Sequence, residues 1–173
     1  MKTRYRIRAA LATLLLLAAG SALAGPRIAV TPFELNDLTL QPRTPEEVER
    51  TASLKPKLEQ ALSAAGVGLE PVRLDDAAVE AASRGGFGYL FQHDAAAARL
   101  GQEAGADLIA VGRLHKPSFL FVYLMVHLID ADSGKRIGDY KVEIKGQQQA
   151  MTQRGVDSLA RKIAATVHGR RAD

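Results

Sequence analysis

The chain has 173 residues, 47% hydrophobic, 24% charged and 5% aromatic, with no cysteine; that suffices for one compact domain and excludes a disordered chain, a collagen and a disulfide scaffold. The formal charge of +4 is local. Lys2, Arg4, Arg6 and Arg8 precede the first acid, and from residue 25 onward cations and anions are equal in number, so the basic stripe that releases counterions from nucleic acid is lacking and nucleic acid is not an expected partner.

Residues 1–24 have the order of a secretory signal: a basic start, an apolar run from Ala9 to Ala19, then Gly20, Ser21 and the small-residue site Ala22-Leu23-Ala24. The run is about 11 residues against the roughly 20 that span a bilayer as a helix, so cleavage after Ala24 is the expectation, with no stable membrane insertion afterwards. A periplasmic domain over 25–173 follows, folded on an apolar core without disulfides.

Arg27 to Phe33 reads as a first strand ended by Pro32, and Glu34 to Arg43 as a loop. Thr44-Pro45-Glu46-Glu47 is a capping box opening a helix whose apolar set is Val48, Leu54, Leu58, Ala61, Leu62 and Ala65, kinked at Pro56 and closed by Gly66. Leu69 to Leu74 is a short second strand, and Asp75-Asp76 caps a short helix to Ala82. The glycines from Arg84 to Tyr89 lack phosphate-loop spacing and read as a mobile loop. Asp94 caps an alanine-rich helix, and Ala106 to Gly112 is an apolar run of the buried parallel type. After Pro117 the longest strand covers Phe119 to Ile129; Asp130 to Gly134 turns it into a last strand, Arg136 to Lys145, whose alternation leaves one face wet. A helix over Met151 to His168 stops at Gly169.

This order predicts a single α/β domain with a five-stranded mixed sheet, spatial order 2-1-3-4-5, strand four antiparallel and helices on both faces. Ligands of such sheets favour the crevice beyond the carboxyl ends of the strands where connections diverge. That rule gathers Glu34, Asn36 and Asp37, then Arg113, His115, Lys116 and Ser118, then Gln148, Thr152 and Arg154, onto one rim. The competing reading is a hydrated edge of salt bridges. If these cations are exposed, replacing Lys116 and Arg154 by alanine should hardly change stability. No catalytic constellation, metal set or cofactor motif emerges: serines lack a nucleophile elbow, and His115 and His127 are expected at opposite ends of a hairpin, roughly 30 Å apart. In the fourth strand, Phe119, Phe121, Tyr123, Met125 and His127 share one face. Either a helix covers that face, or Phe119, Phe121, Tyr123 and Met125 dock another subunit.

Phe33-Glu34-Leu35 with Asp37, the run Ala106 to Gly112, Lys116, Ser118, the Asp130 to Gly134 turn, and Gly146 with Arg154-Gly155 together resemble a family of small secreted bacterial proteins of unknown function, some encoded near periplasmic quinoprotein alcohol oxidation systems. More distantly the topology is similar to the amino-terminal domain of TolB and to the CsgG group. The resemblance implies a non-catalytic envelope module binding a protein or a glycan. The chain departs from the family at His93 to Ala96, where members carry paired cysteines, at Phe119, Tyr123 and Met125, where they carry asparagines, and at Gln149, Ala150 and Thr152, where they carry an acidic, tryptophan-containing entry. Two further readings stay open: a solute-binding protein or enzyme, which would need His115 within hydrogen-bond reach of Asp37 or Glu34 in a deep polar pocket, and a self-assembling subunit pairing through the fifth strand or the aromatic face of the fourth.

Overall fold

The computed structural model describes residues 25–144 and 149–172; the leader, its cleavage site and Gln148 lie outside them. The elements are β1 (Arg27–Val30), β2 (Glu34–Asp37), α1 (Pro45–Ala52), α2 (Leu54–Ala64), β3 (Glu70–Val72), α3 (Asp76–Ala82), α4 (Tyr89–Gln92), α5 (Asp94–Glu103), β4 (Leu108–Lys116), β5 (Val122–Asp130), β6 (Arg136–Ile144) and α6 (Gln149–Ala172). The sheet runs β3-β1-β4-β5-β6, which is the expected order. β1 lies parallel to β3 and β4, and β5 is antiparallel to both its neighbours.

Helices cover both faces, because β1 and β4 are apolar on both. On one side Ile28, Val30, Leu108 and Ala110, with Leu124, Val126 and Leu128 of β5, pack against Leu54, Leu58 and Leu62 of α2 and Val156, Leu159 and Ile163 of α6. On the other side Ala29, Ile109, Val111 and Ile129 meet Leu90 and Phe91 of α4 and Ala97 and Leu100 of α5.

The sequence reading missed a sixth strand. Pro32 does interrupt β1, since it has no N–H to give the ladder, but the chain then resumes beside β4 as β2, pairing Glu34 to Asp37 with Arg113 to Lys116. At the interruption Thr31 Oγ1 accepts the Gly112 N–H at 3.3 Å, and the Phe33 ring lies over the bare Gly112 Cα, where a Cβ would meet ring atoms at 2.5 Å. Polar Glu34, Asn36 and Asp37 disfavour a strand locally; partners on a nine-residue β4, which outruns its expected end at Gly112, decide otherwise.

Other boundaries shift for similar reasons. The capping box forms, with Thr44 Oγ1 accepting from Glu47 N at 3.3 Å and Glu47 Oε2 accepting from Thr44 N at 3.2 Å. Yet α1 turns Glu47 and Thr51 inward and leaves Val48 exposed, because the sheet end it covers offers a lysine. Gly85 to Gly88 leads into the unpredicted α4. Asp94 is the first residue of α5 rather than its cap; its carboxylate accepts from Arg136 at 2.8 Å. β5 begins at Val122 rather than Phe119, and α6 continues past Gly169.

Candidate functional site

Strand alternation sends the expected rim residues to both faces of one sheet end, where β2 and β4 run side by side. The crevice foreseen between the first and third strands is filled by β2 itself.

On the α1 face, Asp37 lies opposite Lys116 and the two pair at 3.1 Å; Glu47 of α1 is the second carboxylate on the same ammonium. Lys116 is 7% exposed, so the exposure expected for it is corrected: the side chain is buried between two acids. Burial alone would lower the Lys116 pKa, but the hydrogen bonds it donates to Glu47 and Asp37 win and raise it. The Lys116 bond is the main cause holding Glu47 below the usual carboxylate range. For Asp37 burial pushes upward, and the Thr39 hydroxyl and N–H, with Lys116, pull the net value down. Those Thr39 bonds, at 2.6 and 2.8 Å, fold residues 37–39 into a turn. Arg50, one turn past Glu47, donates to Thr152 of α6 at 2.9 Å, and the cleft there, about 320 Å³, is lined by Glu46, Glu49, Arg50, Ser53 and Lys57.

On the α4 face, Glu34 lies opposite Arg113 and Asn36 opposite His115. Glu34 accepts from Arg113 at 3.3 Å and from the Gly88 N–H at 2.9 Å. Gly88 has φ of 78°, which favours glycine, and a Cβ on it would stand 2.5 Å from Arg113 Nη2 and displace the guanidinium. The Arg113 guanidinium lies 4.2 Å from the Phe91 ring centroid and 5.4 Å from that of Phe87. His115 Nδ1 is 3.0 Å from Asn36 Nδ2, and burial, then Lys141 and Arg113, lower its pKa. The carboxylate–histidine pair an enzyme reading asks for is not formed: His115 meets a neutral amide, Glu34 is engaged by Arg113, and Asp37 is on the other face.

Ser118 Oγ accepts from Leu120 N at 3.3 Å, shaping the β4–β5 connection. Arg154 is exposed on α6; among the described residues no hydrogen bond or ion pair joins it to Asp37 or Lys116. The aromatic face divides. Tyr123 is half-buried, stacked with His115 at 6.4 Å and Phe121 at 6.3 Å, under Lys141 Nζ at 3.9 Å. Met125 packs partly against the α4–α5 core, whereas Phe119 and Phe121 precede the strand and are exposed. His115 and His127 are nearer than expected, because Tyr123 opposes His115 and Val111 opposes His127, an offset of four residues or roughly 13 Å.

His127 is buried on the Phe91 ring at 3.8 Å. Its Nδ1 donates to the Phe91 carbonyl at 3.0 Å, which leaves Nε2 to accept from Arg136 Nη1 at 3.1 Å. Burial, then Arg136, lower its pKa, although Asp139 and Asp94 oppose this. A depressed histidine pKa contributes stability that is whole above the unfolded value of about 6.5 and is lost as pH falls toward the folded value. Thermal midpoints should therefore drop between pH 7.5 and pH 5, and His127→Gln should flatten that drop; His115→Gln separates the smaller share of the second histidine. A midpoint that is flat over this range in the parent protein would refute the assignment.

Glu47 and Gly88 stand outside the rim read from the sequence. Glu47 left a trace only as a capping residue, and Gly88 is placed by pairing with a segment 54 residues away.

Fold and site together define a three-layer α/β module whose sheet end is braced by internal charge pairs on both faces. The chain belongs to the family described as "Protein of unknown function (DUF2380)", whose model DUF3280 matches residues 26–163. No curated protein matches the chain. Among solved structures, it is similar to PelC of Paraburkholderia phytofirmans, described as a dodecamer, with 14% identity and a TM-score of 0.51 over 85% of this chain and 90% of that one. It is likewise similar to the hypothetical protein CT253 of Chlamydia trachomatis, with 12% identity and a TM-score of 0.53 over 83% and 99%. TolB of Acinetobacter baumannii aligns at 14% identity and a TM-score of 0.46 over 83% of this chain and 27% of that one. Among the described residues no helix is long and apolar enough to cross a membrane.

Proposed function

We infer that the protein is an exported, non-catalytic accessory module that binds a protein or glycan of the cell envelope. The observation that carries this reading is the state of the polar groups at the sheet end: Glu34, Arg113, Asp37, Lys116 and Glu47 are bound to one another. They brace a surface and leave no acid–base pair free for chemistry. What they hold outward is a strip in which His115, Tyr123 and Phe121 stack, with Lys141 across Tyr123. Pre-set stacked aromatic rings fit a binding surface, because little order remains to be imposed on contact. Ser118 adjoins it in the connection after β4, Arg154 is an exposed cation on α6 over the other face of the sheet, and the leader read from the sequence supports the periplasmic location.

Crosslinking in periplasmic extract, read by mass spectrometry, tests this. A specific heterologous adduct is expected, and Tyr123→Ser combined with Arg154→Ala should reduce it several-fold while moving the thermal midpoint little, since both groups are partly or wholly exposed. An extract giving no adduct, or one indifferent to the double substitution, counts against this surface. An extract giving only self-linked chain favours self-assembly instead, a reading to which the exposed apolar tips of the same end lend a specific observation.

A further inference from the structure

Two connections leave the sheet at the same end and carry apolar residues into solvent. Leu38 N donates to Lys116 O at 2.9 Å, so the chain after β2 and the chain after β4 depart side by side. Leu38 is 55% and Leu40 96% exposed on the first; Phe119, Leu120 and Phe121 are 67%, 80% and 45% exposed on the second. At these exposures the five side chains present on the order of 700 Å² of apolar surface, more than the largest patch of a typical monomer at about 300–600 Å².

Leu40 adds a separate indication. Its φ of 59° is left-handed, a backbone conformation that strains an L-residue with a Cβ and that glycine adopts freely. An exposed leucine held there gains nothing within its own chain from its side chain. Strain of this kind collects where a side chain is used by something else.

We propose that the two apolar prongs, Leu38–Leu40 and Phe119–Phe121, are the contact between two copies of this chain related by a two-fold axis. Doubling the patch gives roughly 1,400 Å² of buried surface, inside the range of about 1,200–2,000 Å² that specific, stable pairs bury. Two adjacent prongs suit an isologous contact, in which each prong lies against the other prong of its mate. Closing this surface strands no charge: Asp37 is bound to Thr39 and Lys116, Lys116 also to Glu47, and the Ser118 hydroxyl to Leu120 N. A bilayer surface fits less well. Charges near the prongs are of both signs, Arg43 against Leu35 and Lys141 and Glu143 on β6 opposite Met125 and Tyr123, whereas anionic lipid favours a cationic border. Phe121 borders both this surface and the Tyr123 strip of the partner reading above, and Leu120, which belongs to the prongs alone, separates the two.

The experiment is light scattering and sedimentation of the protein recovered after expression of the full-length chain, across micromolar to millimolar concentration. A concentration-dependent dimer is expected, and Leu120→Asp should raise its dissociation constant at least about thirtyfold with the circular dichroism spectrum unchanged. Because the chain has no cysteine, Leu120→Cys gives a second readout: mild oxidation should link two copies through the introduced thiol, and Ser63→Cys on α2 should give no such link. A monomer at every concentration, a dimer indifferent to Leu120→Asp, or a Leu120→Cys variant that stays unlinked overturns the proposal. So does binding of a monomer to phosphatidylethanolamine–phosphatidylglycerol vesicles that Leu120→Asp abolishes, which would assign the prongs to lipid. Loss of the dimer with retained heterologous adducts leaves the partner reading standing, and the reverse outcome separates them the other way.

Discussion

Lys116→Met should lower the free energy of unfolding by about 3–5 kcal/mol, the largest effect expected of any single polar substitution at the sheet end. The ammonium is 7% exposed and neutralises Asp37 and Glu47, whose side chains are themselves almost wholly buried. Removing it leaves two carboxylates side by side at low dielectric, each also repelling the other. The stranded acids carry the cost, so Asp37→Asn and Glu47→Leu placed on top of Lys116→Met should recover part of it, a sign that simple loss of packing would not show. The pH response follows the same logic. Asp37 and Glu47 have depressed pKa values, so their contribution is present above the ordinary carboxylate range and disappears as pH falls through their folded values. Lys116 has a raised one; its contribution is present below about 10.4 and is lost as pH climbs through the folded value. Chemical unfolding at neutral pH measures the first claim, and a Lys116→Met variant within 1 kcal/mol of the parent, allowing about 0.5 kcal/mol for surface changes, would overturn it.

Gly112→Val should cost about 3 kcal/mol, at the upper end for overpacking. Gly112 sits where β1 has stopped and β2 has not begun, and its missing side chain is the space the Phe33 ring occupies, with ring carbons 2.5–2.6 Å from where a Cβ would be. Phe33 is buried among apolar neighbours, and although a cavity of about 100 Å³ lined by Thr31, Phe33, Leu90 and Gly112 adjoins it, moving the ring there would give up those contacts. A branched side chain must push the ring out or push β2 away from β4, and the second movement would also pull Asp37 from Lys116. The double variant Gly112→Val with Phe33→Ala should be more stable than the sum of the two single losses predicts, since one substitution makes the room the other needs. Strict additivity would show that ring and strand do not compete for that space.

These two predictions mark where local reading of the chain stopped working. The capping box at Thr44 was legible because both partners of each bond lie within four residues. Sheet order was legible because apolar runs in β1 and β4, right-handed crossovers and two hairpins leave few alternatives. β2 was not, since Glu34, Asn36 and Asp37 look like a loop until Arg113, His115 and Lys116 are set beside them. Candidate site residues fare the same way: topology brings most of them to one end of the sheet, but alternation along β2 and β4 sorts them onto opposite faces, and Lys116, which reads as a surface cation, is the buried centre of three charges.

Taken alone, the chain's composition and periodicity determined a single mixed-sheet domain with apolar layers above and below. Only the tertiary structure decided which charges face inward, which loops end in bare apolar tips, and that a sixth strand closes the expected crevice. The reason is physical: hydrophobic periodicity is a property of neighbours along the chain, whereas the burial of a charge depends on whether an opposite charge, here about 70 to 80 residues away, arrives to meet it.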